Sequence, residues 1–169
     1  MALTAAQYQA LKTFILADPT LSAQPMDGNG NDTIQIALNA VAAPDFWVWK
    51  SFVTDQDIYS QTTADGTSWS WPAFIARSQG ERDGWREMVN MAGGVNPSLA
   101  NVRQGIADIF SGSTNSAPAQ RTHLLTIGRR KATVAEKLFA TGTGSTATPA
   151  TMGFEGTITD NDVDTARHS

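Results

Sequence analysis

Apolar residues recur at helical spacing through the first 139 positions of this chain and lose that spacing in the thirty that follow. Thr4 and Gln7 form a capping-box signature, and Tyr8, Leu11, Phe14 and Ile15 continue along one helical face. That helix is expected to stop before Pro19, because the residue preceding proline resists the α region. Pro25–Asn31 is a turn cluster. A second helix is expected from Asn31 or Asp32, with Ile34, Leu38 and Val41 on one face, ending before Pro44. Asp45–Val53 is short and aromatic. Its alternation suits a strand, yet Phe46, Trp49, Phe52 and Val53 also share a helical face behind a Pro44 entry, and the helix reading is preferred. Thr54 and Asp57 are spaced to start a further short helix through Ile58 and Tyr59. Positions 60–69 form a polar loop.

Ser70 and Pro72 open a fourth helix, with Phe74, Ile75, Ser78, Trp85, Met88, Val89 and Ala92 on its inner face and Gly93–Gly94 as its stop. Asn96 and Pro97 cap a fifth, with Leu99, Val102, Ile106, Ile109 and Phe110 inside and Gly112 at its end. Ser116 and Pro118 begin a last long helix carrying Leu124, Leu125, Ile127, Ala132, Val134, Ala135, Leu138 and Phe139, with Gly142 beyond it. The expected fold is therefore all-α: a small helical bundle over residues 1–139.

Residues 140–169 are expected to form an extended C-terminal arm. Glycine, threonine and serine dominate it, and such a run buries too little apolar surface to offset its own backbone entropy. It nevertheless carries Met152, Phe154, Ile158 and Val163, which a plain spacer would not need. The expectation is an arm that orders against another chain, with those four residues as partner-binding anchors. Thr159 or Asp160 caps a short terminal helix.

Composition fits this division. Hydrophobic content of 41% and charged content of 17% are low for a globular chain, as they would be if the last sixth lay outside the core. There are no cysteines, which excludes disulfides and thiolate chemistry. The start of the chain shows no signal-peptide pattern, and no apolar run is long enough to span a bilayer. The net charge of -4 is uneven: -5 over residues 1–76, +4 over 77–140 and -3 over 141–169. That alternation suits head-to-tail contact between copies of one chain. Basic residues lining solvated helix faces account for it equally well.

Catalytic and cofactor chemistry finds little support. The two histidines, His123 and His168, lack ligand-spaced partners, and His123 reads as a surface or half-buried helical residue. Asp160, Asp162 and Asp164 lack the glycine and distal glutamate of a calcium loop. No phosphate loop or nucleophile elbow is present. The expectation is no catalytic residue, no cofactor and no metal. Arg121, Arg129, Arg130 and Lys131 would give the last helix a basic side, a contact face for protein or for a nucleic-acid backbone. All five tryptophans lie within 39 residues. Trp69 and Trp71, in a loop before a helix, are expected to dock a neighbouring subunit.

Two stretches carry a likeness: Phe46-Trp-Val-Trp-Lys-Ser-Phe-Val-Thr-Asp-Gln-Asp-Ile58, and Lys137-Leu-Phe-Ala-Thr-Gly-Thr-Gly-Ser followed by Pro149-Ala-Thr-Met-Gly-Phe-Glu-Gly-Thr-Ile-Thr-Asp-Asn-Asp-Val-Asp164. Together they resemble small virion proteins of tailed bacteriophages, and among these the helical head–tail adaptor, or head-completion protein. The resemblance implies a non-enzymatic subunit of a dodecameric homo-oligomeric ring. That ring would sit on the phage portal protein and meet the next neck or tail protein, at the head–tail junction of a virion assembled in the host cytoplasm. It implies that Met152, Phe154 and Ile158 anchor the arm on portal or neighbour. Arg121, Arg129, Arg130 and Lys131 would face that arm, or the DNA passing through the ring without sequence-specific binding. Other virion roles, capsid decoration or tail termination, and a small nucleic-acid-binding regulator are the alternatives.

Overall fold

The structure is a computed structural model and describes residues 3–90, 93–114 and 116–169. Along the chain run α1 (Ala5–Ala17), α2 (Pro19–Ser22), α3 (Gly28–Asn39), β1 (Trp47–Trp49), β2 (Val53–Thr54), α4 (Asp55–Ser60), α5 (Trp71–Ile75) and α6 (Gln79–Asn90). There follow β3 (Gly94–Val95), α7 (Ala100–Ile109), α8 (Ala117–Ile127), β4 (Arg129–Lys131), α9 (Val134–Phe139) and α10 (Asp160–His168). The expectation of an all-α bundle with an extended arm is thereby corrected. Among the described residues the chain is mostly helical, with two small two-stranded antiparallel sheets, β1–β4 and β2–β3.

The chain divides into two compact units: residues 1–48 with 131–169, and residues 49–130. In the first, α1, α3, α9 and α10 enclose a core of Leu11, Ile15, Leu21, Ile34, Leu38, Ala135, Phe154, Ile158, Val163 and Ala166. In the second, Val53, Ile58, Trp69, Phe74, Trp85, Val89, Val95, Ile106, Ile109, Phe110, Leu124 and Ile127 form another.

Among the described residues, four helices start on the same device. Thr4, Thr54, Thr133 and Thr159 each accept the amide three residues on, while Gln7, Asp57, Glu136 and Asp162 reach back to the cap amide. Asp27 caps α3 through Gly30 N–H, so this helix begins ahead of the expected Asn31 or Asp32 and ends at Asn39. Gly30 is required there, because a Cβ would lie 2.0 Å from the Pro25 carbonyl oxygen.

Three expected helices are corrected. The 45–53 segment is extended, not helical: Trp47 N–H donates to the Gly144 carbonyl at 2.7 Å and Trp47 O accepts from Ala150 N–H at 2.8 Å. Its aromatic and β-branched residues suit a strand once such partners exist. The fourth helix breaks into α5 and α6 across Ala76–Ser78, and Ala92 lies outside the described residues. The last long helix stops at Ile127, β4 follows, and the Thr133–Glu136 box restarts it as α9. Gly128 sits at that break, where a Cβ would approach the Pro97 side chain to 3.0 Å.

The C-terminal segment is the largest correction. Thr141 and Thr151 exchange backbone hydrogen bonds at 2.8 and 2.9 Å, and Val48 pairs with Ala150. Asn39 then acts as a surrogate strand: its Nδ2 donates to Ile158 O at 2.8 Å and its Oδ1 accepts from Ile158 N–H at 2.9 Å. Beyond that clip α10 packs on α3 and α1. Arg167 donates to the carbonyls of Gln24 and Pro25 and to Asn31 Oδ1, each at 2.7 Å, and Asn31 Nδ2 donates to Asp164 Oδ1 at 3.1 Å. The segment is a layer of its own unit.

Tyr8 Oη donates to Asp162 Oδ1 at 2.9 Å, joining α1 to α10. Desolvation of Asp162 opposes ionisation, but hydrogen bonds from the Thr159 side chain and amide and from Tyr8 outweigh it and hold its pKa below the ordinary 3.8. A depressed carboxyl contributes stability above the unfolded pKa and loses it as pH falls through the folded one. Acid titration of stability should therefore fall below the ordinary aspartate pKa of 3.8, and Asp162→Asn should flatten that fall; an unchanged profile would contradict the role. Ile158→Ala, at a fully buried site, should cost ~2–5 kcal/mol in urea unfolding, where an exposed arm residue would cost almost nothing.

Candidate interaction surfaces

Trp69 and Trp71 straddle Ser70, the N-cap of α5, where extended backbone gives way to helix, and their rings meet edge-on with centroids 5.6 Å apart. Ser70 is held in place twice: its N–H donates to Gln120 Oε1 at 2.7 Å, and its Oγ accepts from Ala73 N–H at 3.2 Å. Trp69 turns inward, stacked on Trp85 at 5.5 Å and edge-on to Phe110 at 6.0 Å. Trp71 turns outward and is 55% exposed, stacked on Tyr59 with centroids 5.5 Å apart and planes 18° from parallel. Tyr59 in turn sits edge-on to Trp69 at 5.0 Å. Ile75, one turn after Trp71 on the same helical face, is 65% exposed. Tyr59, Trp71 and Ile75 thus form an apolar patch whose rings are fixed by a buried aromatic layer beneath them. Fixed aromatic rings lose little freedom on binding, which is what makes them interface anchors.

The expectation that both tryptophans dock a neighbour is corrected for Trp69, which is core. Sequence reading passed over Tyr59 and Ile75. It placed Ile75 on the inner face of a continuous fourth helix, and the break after Ala76 turns that side chain outward.

On the first unit a groove of about 560 Å³ runs between α1, α2, α3 and α9, lined by Phe14, Asp18, Leu21, Ala37, Ala42, Ala43, Val134, Lys137 and Leu138. Alanines at 37, 42 and 43 leave it open where larger side chains would fill it. Asp18 Oδ1 is committed to capping α2 through the amides of Thr20 and Leu21. Lys137 lies over the Phe46 ring, 5.7 Å from its centroid. The groove draws on segments far apart in the chain, so no local pattern signals it.

The expected arm anchors face inward. Phe154, Ile158 and Val163 are buried in the core of the first unit, with Phe154 edge-on to Phe139 at 5.7 Å. Met152 is half-buried against a small cluster of Val48, Ala132 and Ala150. Their roles as partner-binding anchors are corrected: tertiary contacts within the chain supply the apolar burial that the tail's own composition lacks. The expected basic helix face is also absent as such. Arg121 donates to the Phe110 carbonyl after the end of α7, Arg129 and Arg130 lie half-buried in β4, and Lys131 pairs with Asp45 at 2.7 Å. A strand sends Arg130 to the face opposite Arg129 and Lys131.

His123 is fully buried, against the surface or half-buried position expected of it, with Nε2 3.4 Å from the Ile58 carbonyl oxygen. Among the described residues no three His, Asp or Glu side chains are placed to hold a metal ion. Nor is any helix among them long and apolar enough to cross a membrane. No family model, no curated protein and no solved structure matches the chain.

The two tryptophans should part company on substitution. Trp69→Ala should cost ~3–5 kcal/mol in chemical unfolding, as for other large-to-small core changes. Trp71→Ala should cost less, ~1–2 kcal/mol, because its ring contacts with Tyr59, Trp69 and Phe74 are made by a half-exposed side chain. Equal costs would contradict the division into anchor and patch.

Proposed function

We propose that this chain is a virion structural protein of a tailed bacteriophage, a head–tail adaptor that works in an oligomeric ring on the portal and meets the next neck or tail component. The resemblance carried by Phe46–Ile58 and Lys137–Asp164 supplies the class. The observation that carries the reading further is the exposed, preordered Tyr59–Trp71 stack with Ile75 beside it, because a solvent-facing tryptophan held rigid by a buried aromatic layer is suited to association. With the C-terminal segment built into its own unit, contacts to portal and neighbours are assigned to folded surfaces instead of a free arm. The protein performs no chemistry in this reading, and its place is the head–tail junction.

Quantitative mass spectrometry of purified particles tests it. An adaptor should be present at about one copy per portal subunit, and its deletion should leave unjoined heads and tails. Copy number tracking the capsid lattice would make it a decoration protein. Absence from particles would overturn the virion assignment altogether.

A further inference from the structure

Four positions in the chain place glycine directly after aspartate or asparagine: Asp27–Gly28, Asn29–Gly30, Asp65–Gly66 and Asp83–Gly84. Such pairs undergo a slow intramolecular reaction, because glycine has no Cβ to crowd its amide nitrogen. That nitrogen attacks the carbonyl carbon of the preceding side chain. An N–C bond forms, ammonia leaves asparagine or water leaves protonated aspartic acid, and a five-membered succinimide results. Water then opens the ring. Cleavage at the side-chain carbonyl gives aspartate; cleavage at the main-chain carbonyl gives isoaspartate, in which the backbone runs through the former side chain. Water is the only co-reactant, and nothing is oxidised or reduced. In an unfolded chain at neutral pH asparagine reacts first, because an aspartate must be protonated before it can lose water. By residue type alone, Asn29 is the most reactive of the four.

The fold reverses that order. Gly30 N–H is committed to the Asp27 cap at 3.0 Å, and the Asn29 carbonyl accepts from Thr33 Oγ1 at 3.0 Å in the first turn of α3. Attack on Asn29 needs its backbone rotated out of the helix, and Gly30 is wedged against the Pro25 carbonyl. The same cap holds the Asp27 carboxylate on the Gly30 amide. Asp83 lies inside α6, its carboxylate bound by Gln79 Nε2 at 2.8 Å and by Arg86 at 3.1 Å. Asp65 has none of these restraints. It and Gly66 are exposed in a hairpin over residues 62–68, where Thr62 pairs with Ser68 and Thr63 N–H donates to the Thr67 carbonyl at 2.8 Å. The Asp65 carboxylate has no hydrogen-bond or ion-pair partner among the described residues. A single turn bond, from Gly66 N–H to the Thr63 carbonyl at 2.9 Å, restrains the attacking nitrogen. Exposed loops open at far lower free energy than the interiors of packed helices.

We propose that Asp65 is the position at which the folded protein acquires isoaspartate. The modification is independent of the adaptor reading, yet it falls beside the aromatic patch. The hairpin joins Tyr59 to Trp71, and isoaspartate adds one atom to the backbone between the two stacked rings.

The test is to incubate the full chain at neutral pH and physiological temperature, once in buffer and once in concentrated urea. Proteolysis and electron-transfer fragmentation then locate each isoaspartate by residue. In buffer, product should accumulate at Asp65 while Asn29 stays intact. In urea the order should reverse, with Asn29 converting ahead of Asp65. Asp65→Glu, at an exposed side chain, should lose the product at that position, because the ring would need six members. Conversion at Asp27, Asn29 or Asp83 ahead of Asp65 in buffer would overturn the proposal. So would the same order in both solvents, or no product at Asp65 in buffer while urea yields it.

Discussion

The first unit depends on one constraint: a glycine- and threonine-rich segment must be held against helices that precede it by more than a hundred residues. Asn39 supplies the clip, pairing both edges of the Ile158 peptide through a single side-chain amide. Burial of Phe154, Ile158, Val163 and Ala166 supplies the apolar free energy. Each fully buried aliphatic side chain contributes ~1.5–3 kcal/mol by transfer, enough to offset the ordering of the residues around it only when several act together. The remaining contacts, Tyr8 with Asp162 and Arg167 with the turn after α2, set where α10 sits once the segment is down.

Legibility in the sequence followed the range of the interactions. Features closed within four residues were readable: the boxes at Thr4 and Thr54, the cap at Thr159, the proline entry to α5, and the apolar stripes of α1 and α7. Asp45–Val53 was not, because its partners (β4, β3, Gly144 and Ala150) lie far along the chain, and no local spacing announces their approach. The break at Gly128 hid inside a stripe that kept helical period across it, although Thr133 and Glu136 carried the restart signal in plain view. The tail misled for a related reason. Its composition correctly describes a segment unable to fold by itself, but the surface that orders it belongs to the same chain, not to a partner.

The candidate surfaces divide the same way. Two tryptophans bracketing a helix cap were visible as an aromatic concentration, and one of them does face solvent. Which one, and that Tyr59 and Ile75 join it, depends on the stacking of Trp69 against Trp85 and on the kink after Ala76. The groove of the first unit is assembled from α1, α2, α3 and α9 and has no local signature. Basic residues that looked like one helix face are dispersed by β4, with Arg121 held by the Phe110 carbonyl and Lys131 by Asp45. A protein read this way meets its partners through rigid surfaces. Its affinity would come from preorganisation, with no folding of a tail on binding.

Amide hydrogen exchange on the isolated, unassembled chain tests the central claim most directly. If the C-terminal segment is a layer of its own unit, the amides of Thr151, Ile158 and Val163 exchange as slowly as those in the core of α3, and they open together with it. Exchange of these three at the rate of an unstructured peptide, while α3 stays protected, would contradict the account.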